Sequence, residues 1–152
     1  ALADAGVDMV FGMHPHVVEP IKTIKSEDGK HNMLVYYSLG NSVSDQSYYT
    51  ADMMGHCQDG LMGIVTFDRD KEGSISISEC GYMATYCHMI KIAENATQSQ
   101  VIPVKRALDN PEAYGIYDIS LIQGSAERTS NIMSNNSIEG LEFKEYESVP
   151  VF

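Results

Sequence analysis

The chain has 152 residues, 10 Lys and Arg against 21 Asp and Glu, a net charge of -11 and a mean hydropathy of -0.18. With 43% apolar and 20% charged residues it has the composition of one globular domain, which excludes a disordered or collagen-like chain. A surface this acidic repels phosphate backbones and anionic lipid, so neither nucleic acid nor a membrane surface is expected as a partner, and an anionic ligand would need a local positive centre such as a metal ion.

In chain order, residues 1–6 read as the last turn of a helix, closed by Gly6 in a left-handed cap. Residues 7–11 follow as a short, largely apolar buried strand that ends at Gly12. A helix end running straight into a buried strand is an αβ unit whose earlier partners precede residue 1. The chain is therefore expected to be the C-terminal portion of a larger fold. Residues 17–25 read as extended, 26–30 as an acidic, Gly-containing turn, and 33–39 as a strand centred on Val35, Tyr36 and Tyr37. Residues 40–59 form a long polar loop, a length that marks functional segments in compact domains.

Residues 61–67 and 74–82 give the clearest hairpin. Leu61, Gly63, Val65 and Phe67 share one face, and Ile75 and Ile77 alternate with serines. The linker at 68–73 is charged and ends in Gly. Residues 83–92 are expected to continue as irregular or extended chain, and 101–104 as a short edge strand limited by Pro103. Asp118 is a natural N-cap, and Ile119, Ile122, Ala126, Thr129 and Met133 recur at near-helical spacing, so a helix is predicted over Ile119–Met133. The tail after Ser134 is polar and acidic and reads as loosely held, with Val149, Val151 and Phe152 available as an edge strand. No apolar run approaches the roughly 20 residues of a membrane helix. The odd set Cys57, Cys80 and Cys87 has no CxxC spacing, which argues against a disulfide framework and a cysteine-rich zinc site while leaving one bridge open.

The sharpest chemical feature is Gly12-Met13-His14-Pro15-His16, directly after a buried strand, where α/β sheets place their sites. On extended backbone an H-x-H pair sends both imidazoles to one side, about 6–7 Å apart. That spacing suits one ligand for each of two ions held about 3.5–4 Å apart, and it equally fits an incidental pair. Gly12 allows close backbone approach and Pro15 stiffens the link. Asn41, after Gly40, either contacts a phosphate oxygen or metal-bound water or simply makes a turn. His56 with Cys57 and His88 with Cys87 read as incidental neighbours, His31 as a solvated turn residue, and Tyr48 and Tyr49 as cleft-lining or surface residues.

The run from Ala5 to Pro20, Ala5-Gly6-Val7-Asp8-Met9-Val10-Phe11-Gly12-Met13-His14-Pro15-His16-Val17-Val18-Glu19-Pro20, resembles a signature of the poly-γ-glutamate capsule-synthesis (CapA-like) family. So does Tyr37-Ser38-Leu39-Gly40-Asn41-Ser42-Val43-Ser44-Asp45-Gln46, at the expected distance downstream. Tyr49-Thr50 with Asp59-Gly60 is a looser third match, and together these cover about the first ninety residues. Met13, Glu19 and Ser42 depart from the usual His, Gln and Phe; Glu19 adds negative charge near the histidines, and Ser42 removes an apolar group from the loop.

The resemblance extends to calcineurin-like metallophosphoesterases and implies an α+β fold, the C-terminal portion of a β-sandwich flanked by helices, with antiparallel hairpins. It implies a domain part over residues 1–92 and a C-terminal extension with one helix over 93–152. By resemblance His14 and His16 are metal ligands for Mn, Zn or Fe ions, the remaining ligands lying upstream. Asp8, Glu19 and Asn41 are candidates to orient those ligands or meet substrate. The implied function is a metal-dependent phosphoesterase-like role in capsule, poly-γ-glutamate or cell-envelope biosynthesis, acting on a phosphoester or an anionic polymer at the outer face of the bacterial cell membrane. The isolated chain is expected to be inactive, with no ion necessarily bound, and to pair with a second copy through an open sheet edge. The competing reading is a non-catalytic binding or assembly module for an acidic polymer or a partner subunit.

Overall fold

A computed structural model describes residues 1–46 and 54–150. Tyr48, Tyr49, Thr50, Val151 and Phe152, named above as cleft, motif or edge-strand candidates, lie outside the described residues.

A small sheet comes first. Its strands β1 (Met9–Phe11), β2 (Ile21–Lys25) and β3 (Asn32–Tyr36) are ordered β1-β3-β2. β1 runs parallel to β3, pairing Met9 with Leu34 and Phe11 with Tyr36. β2 is antiparallel to β3, from Ile21↔Tyr36 to Lys25↔Asn32. These strands are shorter than predicted at one or both ends. Residues 17–20 keep only an isolated bridge, Val18↔Leu39, because Pro20 has no N–H to give a ladder. The opening turn is a 3-10 turn, Ala3–Ala5, with Gly6 in the left-handed cap at φ 80°.

The larger sheet is built on one long strand. β4 (Asp59–Arg69) and β5 (Ile75–Ala93) form the predicted hairpin, and β6 (Ala96–Pro103) turns back along β5. β5 extends through 83–92, so that stretch is regular strand. The sequence concealed this because residues 80–87 are buried on both faces, which erases the period-two alternation. A bulge between Thr66 and Phe67 shifts the register, and Phe67, expected to share a face with Leu61, Gly63 and Val65, is 51% exposed while Leu61 is buried.

The predicted short edge strand is instead the end of β6, and Val104 opens a helix, α1 (Val104–Asp109). α2 (Ile119–Met133) is as predicted, with the Asp118 carboxylate accepting from Ser120 N at 3.0 Å. Its inward stripe is Ile122, Ser125, Thr129 and Met133, so Ser125 replaces Ala126 in the expected set. The tail is not loosely held throughout. β7 (Glu142–Glu145) runs parallel to β5 over Glu79–Tyr82, on the edge that β6 occupies farther along.

The two sheets and both helices share one core. Ile21, Leu34 and Tyr36 from the small sheet meet Leu61, Tyr82, Tyr86 and Ile102 from the large one and Ala107 and Ile122 from the helices. Tyr36 crosses between the sheets: its hydroxyl donates to Gly81 O at 2.8 Å and accepts from Gly81 N at 3.3 Å. Burial pushes that phenol well above its ordinary value. All three cysteines are free and buried.

Candidate metal centre

Because β1 and β3 are parallel, the loops that follow them leave the sheet at the same end. Residues 12–16 and 37–41, far apart in sequence, are thereby neighbours. Gly12 N donates to Tyr36 O at 2.7 Å and Leu39 N to Gly12 O at 3.2 Å, stitching the loops together. Only glycine fits at position 12, since a Cβ there would stand 2.1 Å from the Tyr37 carbonyl oxygen.

The histidine loop is not extended. Both histidines have positive φ, 111° at His14 and 61° at His16, a conformation that costs a non-glycine residue on the order of 1–3 kcal/mol and concentrates at functional sites. The rings nonetheless lie with centroids 6.3 Å apart, tilted by 51°, and both residues are exposed. An imidazole centroid sits about 3.2 Å from an ion held at about 2.1 Å. A single tetrahedral ion would thus draw the centroids to roughly 5 Å. The wider observed spacing suits separate ions.

Asn41 orients His16. It is buried, and its Nδ2 donates to Cys57 O at 2.8 Å and to Gln46 Oε1 at 2.8 Å, with His16 O farther off at 3.3 Å. Backbone carbonyls only accept, so the amide nitrogen must face them and Oδ1 must face the other way. Oδ1 lies 2.9 Å from His16 Nδ1. An amide oxygen also only accepts, so His16 carries its proton on Nδ1 when neutral and presents the Nε2 lone pair outward. This is the arrangement by which a ligating histidine is oriented by a hydrogen bond on its other nitrogen. Both polar atoms of Asn41 are thus engaged with protein groups.

The other candidates fall elsewhere. Asp8 stands at the far end of β1, 3.8 Å from His31, on a cavity of about 460 Å³ that Phe67, Ile75 and Glu139 also line. His31 is not simply solvated, since its Nε2 donates to Val7 O at 2.8 Å. Glu19 bonds through its backbone N–H to Ser38 O at 3.1 Å. Among the described residues neither carboxylate hydrogen-bonds to His14 or His16. Cys57 and Cys80 are poor thiolate sources because burial pushes both thiols up, Cys80 to about 11. Burial likewise holds His88 below its ordinary value. Beside the loops lies an open groove of about 360 Å³ lined by Phe11, Leu39, Ser42, Leu61, Met62 and Val101.

Sequence reasoning missed the wall behind Asn41. The 3-10 turn His56–Gln58 supplies Cys57 O, and Asp59 O accepts from Asn41 N at 3.2 Å. Gly60 lies so close that a Cβ would meet Asn41 O at 2.3 Å. The Asp59 side chain is fully buried against Arg128 of α2. Burial drives its carboxyl upward, and the Arg128 hydrogen bonds oppose that. Among the described residues no group of three or more His, Cys, Asp or Glu converges. The chain therefore presents two exposed imidazoles, one of them oriented by Asn41, a donor set compatible with part of a metal centre.

The same N-terminal stretch carries the similarity to known proteins. Residues 1–46 match the family described as "Bacterial capsule synthesis protein PGA_cap". The N-terminal third of the chain is thus similar in sequence to bacterial capsule synthesis proteins. A 48-residue stretch, 32% of the chain, is 44% identical to the "PGA biosynthesis protein CapA" of Bacillus subtilis (strain 168) and spans 11% of that protein. Over an equal length it is 40% identical to the "Capsule biosynthesis protein CapA" of Bacillus anthracis, spanning 10% of it. The match thus covers about a tenth of these curated relatives. No solved structure matches the chain. His14, His16 and Asn41 all fall inside the family match, whereas Asp59 and Arg128 fall outside it.

Proposed function

We propose that this chain contributes two ligands, His14 and His16, to a divalent-metal centre of a capsule-biosynthesis protein that acts on a phosphoester or on an anionic polymer such as poly-γ-glutamate. The observation that carries the reading is the His16 Nδ1 to Asn41 Oδ1 contact of 2.9 Å, which leaves Nε2 of this exposed ring as the ligating atom. Bound Mn, Zn or Fe ions would supply the positive charge an anionic substrate needs at this acidic protein and would polarise the group they hold. Asn41 holds the His16 proton on Nδ1, and the Phe11–Ser42 groove lies beside the same loops. Asp8 and Glu19 have no contact that assigns them a part. Further ligands from elsewhere in the intact protein would complete the centre, so the 152-residue chain binds metal weakly and turns over nothing by itself.

A place at the cell envelope follows from the capsule homology. Among the described residues no helix is long and apolar enough to cross a membrane. Pairing of two copies through a sheet edge is part of the same proposal.

Isothermal titration with Zn²⁺ tests the assignment. Binding by the wild-type chain that disappears in His14→Ala and in His16→Ala supports it. Binding that is unchanged in both variants overturns it in favour of a non-catalytic polymer- or partner-binding module with structural histidines.

A further inference from the structure

Arg128 sits on α2, far from the histidine loop, yet the contacts between them form one chain. Its Nε donates to Asp59 Oδ2 at 2.6 Å and its Nη2 to Asp59 Oδ1 at 2.8 Å, a two-pronged pair. Nη2 also reaches Gly55 O at 3.4 Å. Gly55 and Asp59 are the two ends of the 3-10 turn His56–Gln58. One guanidinium therefore spans the turn. From the middle of that turn Cys57 O receives Asn41 Nδ2 at 2.8 Å, and from its end Asp59 O receives Asn41 N at 3.2 Å. Asn41 Oδ1 in turn meets His16 Nδ1.

We propose that Arg128 is a positioning residue for the candidate metal centre: by clamping residues 55–59 it fixes the Asn41 amide, and through it the tautomer and aim of His16. The significance of His16 as a ligand rests on the function proposed above. The clamp itself is a statement about hydrogen bonds and can be tested without metal. It gives α2, which lies outside the family match, a part in the site. Asp59 is fully buried and the Arg128 side chain is half-buried, at 17% exposure. An arginine fork is needed here because lysine, a point charge, cannot hold both carboxylate oxygens and a carbonyl in one plane.

The test is the ¹⁵N signature of the His16 ring in Arg128→Lys, recorded on the full 152-residue chain at about pH 8, above the ordinary histidine pKa. The wild type should show Nδ1 protonated and Nε2 bare. Arg128→Lys should show a mixture of tautomers and a Zn²⁺ affinity lower by about tenfold. Asp118→Ala, which removes the α2 cap, should lower stability while leaving the His16 signature intact. In an Asn41→Ala background Arg128→Lys should change His16 no further. If Arg128→Lys does not fold, Asp59→Asn with Arg128→Gln removes both charges together and is read in the same way. A folded variant whose His16 signature and Zn²⁺ affinity match the wild type overturns the positioning role. A shifted signature in a chain that never binds Zn²⁺ upholds the clamp and overturns only the metal reading.

Discussion

The buried amide of Asn41 faces His16 Nδ1 at 2.9 Å while its nitrogen is held by the carbonyl of Cys57 at 2.8 Å. The Cys57 carbonyl can only accept, which sets the orientation of the amide, and the amide oxygen then turned to His16 can only accept, which sets the proton position on the neutral ring. Asn41→Asp puts a second acceptor where Cys57 O needs a donor, and Asn41→Ala leaves that carbonyl without one. Either change is expected to cost about 1–3 kcal/mol and to weaken divalent-ion binding by about 10- to 100-fold. Urea denaturation and ion titration on the same samples check the two effects.

The glycines that let the loops approach one another should be intolerant. Gly12→Ala places a methyl 2.1 Å from Tyr37 O, and Gly60→Ala places one 2.3 Å from Asn41 O. In both cases the obstacle is backbone. Each is expected to cost about 3 kcal/mol, the upper end of ordinary overpacking. Gly29→Ala, in the turn before β3 with nothing within 4 Å, should show only the smaller penalty of its positive φ. The order of thermal midpoints tests this.

Tyr36 is the polar tie between the sheets. Tyr36→Phe keeps the ring in the core and strands Gly81 O and N, so a loss of about 1–3 kcal/mol is expected without change of fold. Chemical denaturation measures the loss, and the near-ultraviolet spectrum reports whether the packing survives.

The docking of β7 should depend on acid. The Lys144 ammonium and the Tyr146 hydroxyl both hydrogen-bond to Glu79 and hold its carboxyl below the ordinary range. A depressed folded-state value gives stability that is present above the ordinary Glu pKa of about 4.3. That stability is lost as pH falls through the depressed value. Wild type should therefore exceed Glu79→Gln in stability near neutrality, and the gap should close below about pH 4. Urea midpoints taken across that interval decide it: parallel curves for the two proteins would remove Glu79 from the docking.

What was legible in the sequence was local. The apolar run ending at Gly12 placed the histidines in a loop, although its strand is half-buried rather than buried and Phe11 is exposed, and α2 followed from its cap and spacing. The hairpin of β4 and β5 followed from alternation and a charged, Gly-ended turn. β5 beyond Tyr82 was hidden because burial on both faces leaves no alternation to read. β7 was hidden because Glu142–Glu145 holds a single apolar residue, Phe143, and the partners of Phe143 and Lys144, Tyr82 and Glu79, are more than sixty residues away in sequence. The extended H-x-H geometry failed for a different reason: the chain leaves the ladder at Gly12 and turns, with positive φ at both histidines. The Asp59–Arg128 clamp joins residues with no sequence pattern in common, so only the packing of α2 against the 3-10 turn reveals it.

The most direct measurement is a histidine-resolved NMR titration with Zn²⁺. The account predicts that the ring signals of His14 and His16 move together and that the His16 shift is carried by Nε2, while His31, His56 and His88 stay in place. Shifts spread evenly over all five histidines, or none at 14 and 16, would contradict it.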